Sequence, residues 1–355
     1  MQSNKAGKKL IVAGILAVLA VAAVYTAAIG AKKEERFHAE FLNLFDTVTE
    51  IVGYAGSKEE FTQIAKDIHD ELETYHQLYN IYDDFDGINN IKTINDNAGK
   101  GPVKVDRKII DLMKLSREAD EKTGGKVNIA MGSVLSIWHD YREKGIDDQE
   151  QAKLPPMDQL KEASLHTDFS KVIIDEEAST VYLEDPKMKL DVGAVAKGYA
   201  TERVARTLKE KGVDHILLSV GGNIRAVGRR ADGKPWKLDI QNPDLESEQK
   251  AVDTLDIDGI SLVSSGDYER YYTVEGVRYH HIIDPDTLMP AAYFHAVSIV
   301  YKDSGWSDAL STAIFNMPYE EGLNLIENME GAEALWVLPD GSLKTSSGYE
   351  AYRSK

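Results

Sequence analysis

From Lys58 to Tyr79 the apolar residues Phe61, Ile64, Ala65, Ile68, Leu72, Tyr75 and Leu78 recur on one helical face. The pattern predicts an amphipathic helix over 58–79. His69 and His76 on it read as surface or boundary residues, since no second ligand type converges nearby. A second helix is expected to start after Asp106, a good N-cap, and to end near Gly124-Gly125. An alanine-rich third is predicted over 194–211, stopping at Gly212, and a fourth opens at Asp308. Between them lie short strand-like runs at 45–51, 216–220, 236–241, 260–264, 271–274, 277–283, 296–301, 334–338 and 342–346. Glu275-Gly276 and Asp340-Gly341 carry hairpin turn chemistry. Pro155-Pro156 marks a loop, and residues 32–42 read as a short charged linker. Locally paired strands with interspersed helices predict an α+β fold with mainly antiparallel sheets.

The N-terminus follows a different pattern. An uninterrupted apolar run from Leu10 to Ala31 is flanked by Lys5, Lys8 and Lys9 and by Lys32 and Lys33. It is long enough to cross a hydrocarbon core of ~30 Å as a helix, and longer than the ~7–15 apolar residues of a cleaved signal peptide. Ala28-Ile29-Gly30 could still serve as a cleavage site. The expected organisation is a signal anchor over 1–33 and one domain over 34–355. The domain is then a single-pass membrane protein's extracytoplasmic part, although lysines on both flanks make the charge rule only mildly decisive.

Composition narrows the chemistry. The net charge is -18, and no basic stripe appears beyond the N-terminus, which argues against nucleic acid. An anionic ligand would need local compensation from a lysine or a metal ion. Cysteine is absent, which excludes disulfides, thiolate metal sites, a cysteine nucleophile and lipidation of a cysteine.

Several polar clusters exceed what a core requires. Tyr279-His280-His281-Ile282-Ile283-Asp284-Pro285-Asp286-Thr287 packs two histidines and two aspartates into one stretch. On a strand, His280 and His281 point to opposite faces and cannot readily chelate one ion together. Asp308, Ser311 and Thr312 share a helix face, a set of oxygens suited to a hard cation such as Mg²⁺. A helix start capped by Ser307, with Asp308 complementing the dipole, explains the same residues equally well. In Asp191-Val192-Gly193-Ala194-Val195-Ala196-Lys197-Gly198-Tyr199 a lysine falls in the first helical turn, unfavourable for the dipole unless it faces an anion. Gly221-Gly222-Asn223 does not fit a phosphate loop and reads as a tight turn between strands.

In order along the chain, these clusters resemble the signature of the ApbE family, the FAD:protein FMN transferases. The resemblance spans roughly residues 43–349 and implies an ApbE-like, T-fold-like domain. The family's D-x-x-[SD]-T cluster matches Asp308, Ser311 and Thr312, implying that they hold Mg²⁺, or Mn²⁺ in its place. The D-x-[GS]-x-x-[AG]-[KE]-G-[YF] motif matches residues 191–199. It implies that Asp191 and Lys197 contact FAD and that the Ala194 carbonyl is a metal ligand. Flavin contacts carry over to Lys126, Val127 and Asn128, the last often Asp in the family. Phe45 and Tyr82 fall where members line the flavin, and Ile283 where a backbone contact lies. The family histidine three residues before the Asp of Asp-Pro selects His281, expected as the general base. Leu288 replaces the glycine of D-P-x-T-G, so the turn after Thr287 is expected to differ. The implied activity is Mg-dependent transfer of FMN from the substrate FAD to a Thr or Ser of an acceptor flavoprotein, releasing AMP. The alternatives are an FAD pyrophosphatase and a non-catalytic FAD-binding module.

Overall fold

The computed structural model describes residues 34–355. The expected anchor over 1–33 lies outside the described residues, and among those described no helix is long and apolar enough to cross a membrane. The expected linker over 32–42 is instead mostly strand β1, Glu35–Leu44. Its high charge masks a period of two. Phe37, Ala39 and Phe41 pack on the core, with Phe37 stacked on Phe61 at 5.4 Å, while Arg36, His38 and Glu40 face out. Strand β2, Thr47–Ala55, starts two residues later than expected. Phe45 and Asp46 form the intervening turn with φ of 55° and 51°, the conformation that suits a tight hairpin.

Helix α1, Lys58–Tyr79, has the predicted limits. Ser57 caps it by accepting from the Glu60 N–H, and Phe61, Ala65, Ile68, Leu72, Tyr75 and Leu78 are buried. Asp106 likewise caps α3, Arg107–Lys122, which follows the short α2, Ile91–Asp96, and β3, Val103–Lys104. Next come α4, Gly132–Asp147, and α5, Met157–Ser164. Strands β4, Val172–Asp175, and β5, Thr180–Leu183, precede helix α6, Ala196–Glu210. Then follow β6, Ile216–Val220, β7, Asn223–Val227, β8, Trp236–Gln241, β9, Ala251–Ile257, and β10, Ser261–Gly266. The hairpin β11, Tyr271–Val274, and β12, Val277–His280, turns at Glu275-Gly276 as expected, although β12 ends three residues early. The chain closes with β13, Ala296–Tyr301, α7, Ser304–Phe315, α8, Tyr319–Glu327, β14, Glu333–Val337, and β15, Leu343–Thr345.

The main sheet has the order β1-β2-β6-β7-β10-β13-β14-β15, and every pairing in it is antiparallel. Both faces are covered, so central strands alternate between two cores. On β13, Val297 and Ile299 face the helices, while Ala296 and Val300 face the β8–β9 ribbon. On β14, Ala334 and Trp336 take the first side, and Leu335 and Val337 the second. A third, smaller core joins α4 and α5 to the β11–β12 hairpin through Val134, Trp138, Leu160 and Tyr272. The arrangement is the expected α+β with antiparallel sheets.

Candidate active site

The site forms where α6 and α7 cross. Gly198 permits the crossing: a Cβ there would lie 2.3 Å from the Ser304 carbonyl oxygen and 2.4 Å from the Asp308 Cβ. The Gly198 N–H donates to Asp308 Oδ2 at 2.8 Å. Asp308 does not open the helix as expected. Asp303 is the N-cap, accepting from the Trp306 N–H, and Ser307 bonds to the Ser261 hydroxyl and the Asp303 carbonyl instead of capping. Asp308 therefore lies beyond the first turn, where the dipole no longer explains a carboxylate. It is buried, and no lysine, arginine or histidine among the described residues forms an ion pair with it. Burial pushes its carboxyl above the usual range, opposed by the charge of Lys197, the Gly198 N–H and the Asn223 side chain. A buried carboxylate of this kind calls for a cation.

Asp308 and Thr312 on α7 and Asn316 at its C-cap follow one another at four-residue steps and line a cavity of about 430 Å³, within the range of small-molecule sites. Ser311 does not line it. Its hydroxyl donates to the Asp308 carbonyl at 2.9 Å and pairs with the Ser265 hydroxyl at 2.8 Å. Ala194 and Lys197 line the cavity from the loop and first turn leading into α6. Asp191 lines it as well, and its carboxylate accepts from the Gly193 N–H at 2.9 Å. Burial raises the Asp191 pKa, against the charges of His139, Arg142 and Arg270. Among the described residues Lys197 forms no ion pair, and its charge bears on Asp308 and Glu269.

A second wall carries Lys126, Val127, Asn128 and Ile283. The Lys126 ammonium donates to Asp284 Oδ1 and Asp286 Oδ2, both at 2.8 Å, so both aspartates of the 279–287 stretch hold this lysine. The Asn128 amide is spent within the protein, donating to the Thr167 carbonyl and accepting from the Ala130 N–H. The Ile283 carbonyl accepts from the Asn316 side chain at 3.4 Å. At the mouth, the Phe45 N–H donates to His76 Nδ1 and the two rings meet edge-on at 5.6 Å. Tyr82 is 53% exposed and leans on His139 at 5.3 Å.

The two adjacent histidines have different surroundings, although β12 ends at His280 and His281 follows it outside the strand. His280 is buried: Nε2 donates to the Ala291 carbonyl at 2.7 Å and Nδ1 accepts from the Ile282 N–H. His281 lines the cavity, and its Nδ1 is buried with no partner among the described residues. Burial first, then the positive charges of Arg270, His280, Lys197 and Arg142, push the His281 pKa down to about 3. It is a neutral base near neutrality. The turn after Thr287 takes the left-handed conformation that glycine favours, with φ of 60° at Leu288. The leucine side chain is buried in the third core, and its carbonyl accepts from Trp138 Nε1.

The cavity also takes Asn223, Asn316, His139, Arg142 and Arg270, which the sequence reading did not assign to it. Extending the Asp308–Thr312 spacing by one more turn reaches Asn316. Arg142 and His139 lie on α4, which carries no motif.

A model of the ApbE family matches residues 45–336. The chain belongs to the ApbE family of FAD:protein FMN transferases. It is 35% identical over 272 residues to the FAD:protein FMN transferase of Treponema pallidum, covering 73% of this chain and 73% of that one. With the transferase of the same name from Klebsiella pneumoniae it shares 30% identity over 290 residues, covering 79% and 86%. The crystal structure of the ApbE protein of Thermotoga maritima superposes with a TM-score of 0.79 at 27% identity, covering 90% of this chain and 100% of that one.

Proposed function

We propose that this protein transfers FMN from FAD to a threonine or serine hydroxyl of an acceptor flavoprotein, releasing AMP. The observation that carries the reading is the meeting, in one cavity, of the buried Asp308 carboxylate, Lys197 and the unpartnered His281. The Asp308 carboxylate, Thr312 hydroxyl and Ala194 carbonyl are hard oxygens that fit Mg²⁺, with Mn²⁺ the alternative. Ser311 fits less well, since its hydroxyl is engaged. A divalent cation there would neutralise the FAD pyrophosphate and polarise the reacting phosphoryl group.

The protein's own groups do the rest. Lys197 places a positive charge beside the pyrophosphate. His281 takes the proton of the acceptor hydroxyl at a ring nitrogen. The hydroxyl oxygen forms a bond to the FMN-side phosphorus as the anhydride bond breaks, and AMP leaves with the bridging oxygen. The acceptor then holds FMN through a phosphoester. Phe45, Tyr82, Val127 and Ile283 offer an apolar and aromatic surface for the isoalloxazine. Residues 1–33 anchor the domain on the extracytoplasmic side, close to membrane-bound redox acceptors. N-terminal sequencing of the membrane fraction tests that placement, and a mature chain starting near Lys32 would overturn the anchor.

The test of function is to incubate the full chain with FAD, Mg²⁺ and candidate acceptors and to read covalent flavin by in-gel fluorescence. Fluorescence on the acceptor with equimolar AMP is the expected result. AMP and FMN appearing equally fast without acceptor would make the protein a pyrophosphatase, and retained FAD with no AMP would make it a binding module.

A further inference from the structure

Asn223 opens β7 immediately after the turn at Gly221-Gly222, whose φ values are 54° and 84°. A turn needs nothing from this side chain, and yet Asn223 is 2% exposed and lines the active-site cavity. Its main chain is fixed on both sides, paired with Val220 on β6 and Val263 on β10. Asn223 and Asp308 line the same cavity, and the Asn223 side chain favours the charged form of the Asp308 carboxylate against burial. Its amide oxygen, Oδ1, is buried and has no partner among the described residues. A buried amide oxygen left unsatisfied costs about 1–3 kcal/mol, so a group in this position calls for a donor or a cation.

With Ser311 committed to Ser265 and the Asp308 carbonyl, the cavity wall still offers the Asp308 carboxylate, the Thr312 hydroxyl, the Ala194 carbonyl and the unpartnered amide oxygens of Asn223 and Asn316. Resting on the cation reading above, we propose that Asn223 is a further residue of the divalent-cation site. Nδ2 holds the Asp308 carboxylate in place, and Oδ1 accepts a hydrogen bond from a water on the cation. Mg²⁺ and Mn²⁺ keep several waters in sites of few protein ligands, and such outer contacts orient the ligands and set affinity. The Gly-Gly turn thus serves to deliver an amide to the metal-binding face of α7.

The test titrates Mn²⁺ into the full chain in the presence of ADP, which supplies a pyrophosphate and carries no flavin to transfer. Free Mn²⁺ is read by electron paramagnetic resonance, and melting temperature is followed with and without Mn²⁺. N223L should weaken Mn²⁺ binding by about 10–100-fold, the scale of lost outer-shell contacts. N223D should bind Mn²⁺ at least as tightly as wild type. It should melt lower without Mn²⁺, because a second carboxylate then faces Asp308 unscreened, and gain more than wild type when Mn²⁺ is added. A merely structural asparagine predicts lower melting for both variants with unchanged Mn²⁺ affinity, and that result overturns the proposal. A folded N223D that loses Mn²⁺ tenfold also overturns it, even if N223L fails to fold. If wild type binds no Mn²⁺, the cation reading falls together with the inference. If wild type binds Mn²⁺ and transfers flavin while N223L binds as wild type does, the inference alone falls.

Discussion

Gly198 and Asp308 touch through backbone and side chain at once. The Gly198 N–H donates to Asp308 Oδ2 at 2.8 Å, and the Asp308 Cβ occupies the space that a side chain at 198 would need. The glycine is therefore a packing requirement of the carboxylate, independent of any need for unusual φ. Gly198→Ala should force α6 and α7 apart, with a stability loss of about 1–3 kcal/mol or more. Half-maximal transfer should also require more Mg²⁺. Urea unfolding and an Mg²⁺ titration of transfer check both parts.

Asp308→Asn removes the buried carboxylate while keeping its shape. Flavin transfer should fall sharply at limiting Mg²⁺, because a charged hard ligand is lost. The folded state should be as stable as wild type or more so, since the group raised by burial no longer has to be charged. Wild-type transfer at limiting Mg²⁺ would remove Asp308 from the cation site.

His281→Ala and His280→Ala should separate cleanly. The first removes an unpartnered ring in the cavity and should slow single-turnover transfer by about 10²–10⁴-fold with little change in melting. The second breaks two hydrogen bonds of a buried ring and should mainly lower stability. The acidic limb of the transfer rate against pH should be present in wild type and absent in His281→Ala. If His280→Ala is the inactive variant instead, the proton acceptor is misassigned.

Stability should carry the same signature. The folded protein holds the His281 pKa near about 3, below its ordinary 6.5. Below that ordinary value the unfolded chain takes up a proton that the folded chain refuses. The contribution is thus complete above 6.5 and is lost as pH falls toward about 3. Urea midpoints compared at about pH 7 and about pH 5 should drop less in His281→Ala than in wild type. Equal drops would show that the ring is solvated.

Leu288 combines a strained backbone with a buried side chain. Leu288→Gly relieves about 1–2 kcal/mol of left-handed strain and forfeits the leucine's burial, worth about 1.5–3 kcal/mol. Leu288→Ala forfeits the burial and keeps the strain. Chemical denaturation should rank wild type above Leu288→Gly, and Leu288→Gly above Leu288→Ala by about 1 kcal/mol. The reverse order of the two variants would show that Leu288 is unstrained.

What could be read from the residues follows from how locally each signal is encoded. Helix α1 came out with the right limits because apolar spacing and a serine cap lie within the segment itself. The antiparallel α+β class was legible from hairpin turns such as Glu275-Gly276. Strand β1 was not, since its charges outvote three half-buried apolar residues that acquire meaning only beneath α1. Asp303 outcompeted Ser307 as the cap of α7, a choice set by where β13 ends. Among the site residues, those in contiguous motifs could be picked out by resemblance. Arg142 and Arg270 arrive from elements whose meeting is a property of the tertiary fold.

The walls of the cavity are contributed by segments from Phe45 to Asn316, and β2 finds its partner β6 more than 150 positions along the chain, at Thr49↔Val220. Contacts so distant in sequence slow folding, because the intervening loop must be closed before they form. A nascent chain also lacks α7, and hence Asp308 and Thr312, until nearly all of the polypeptide has emerged. Capture of FAD therefore waits for completion of the sheet. If the domain is extracytoplasmic, as proposed above, a chain that crosses the membrane unfolded must cross it empty and collect its flavin on the far side.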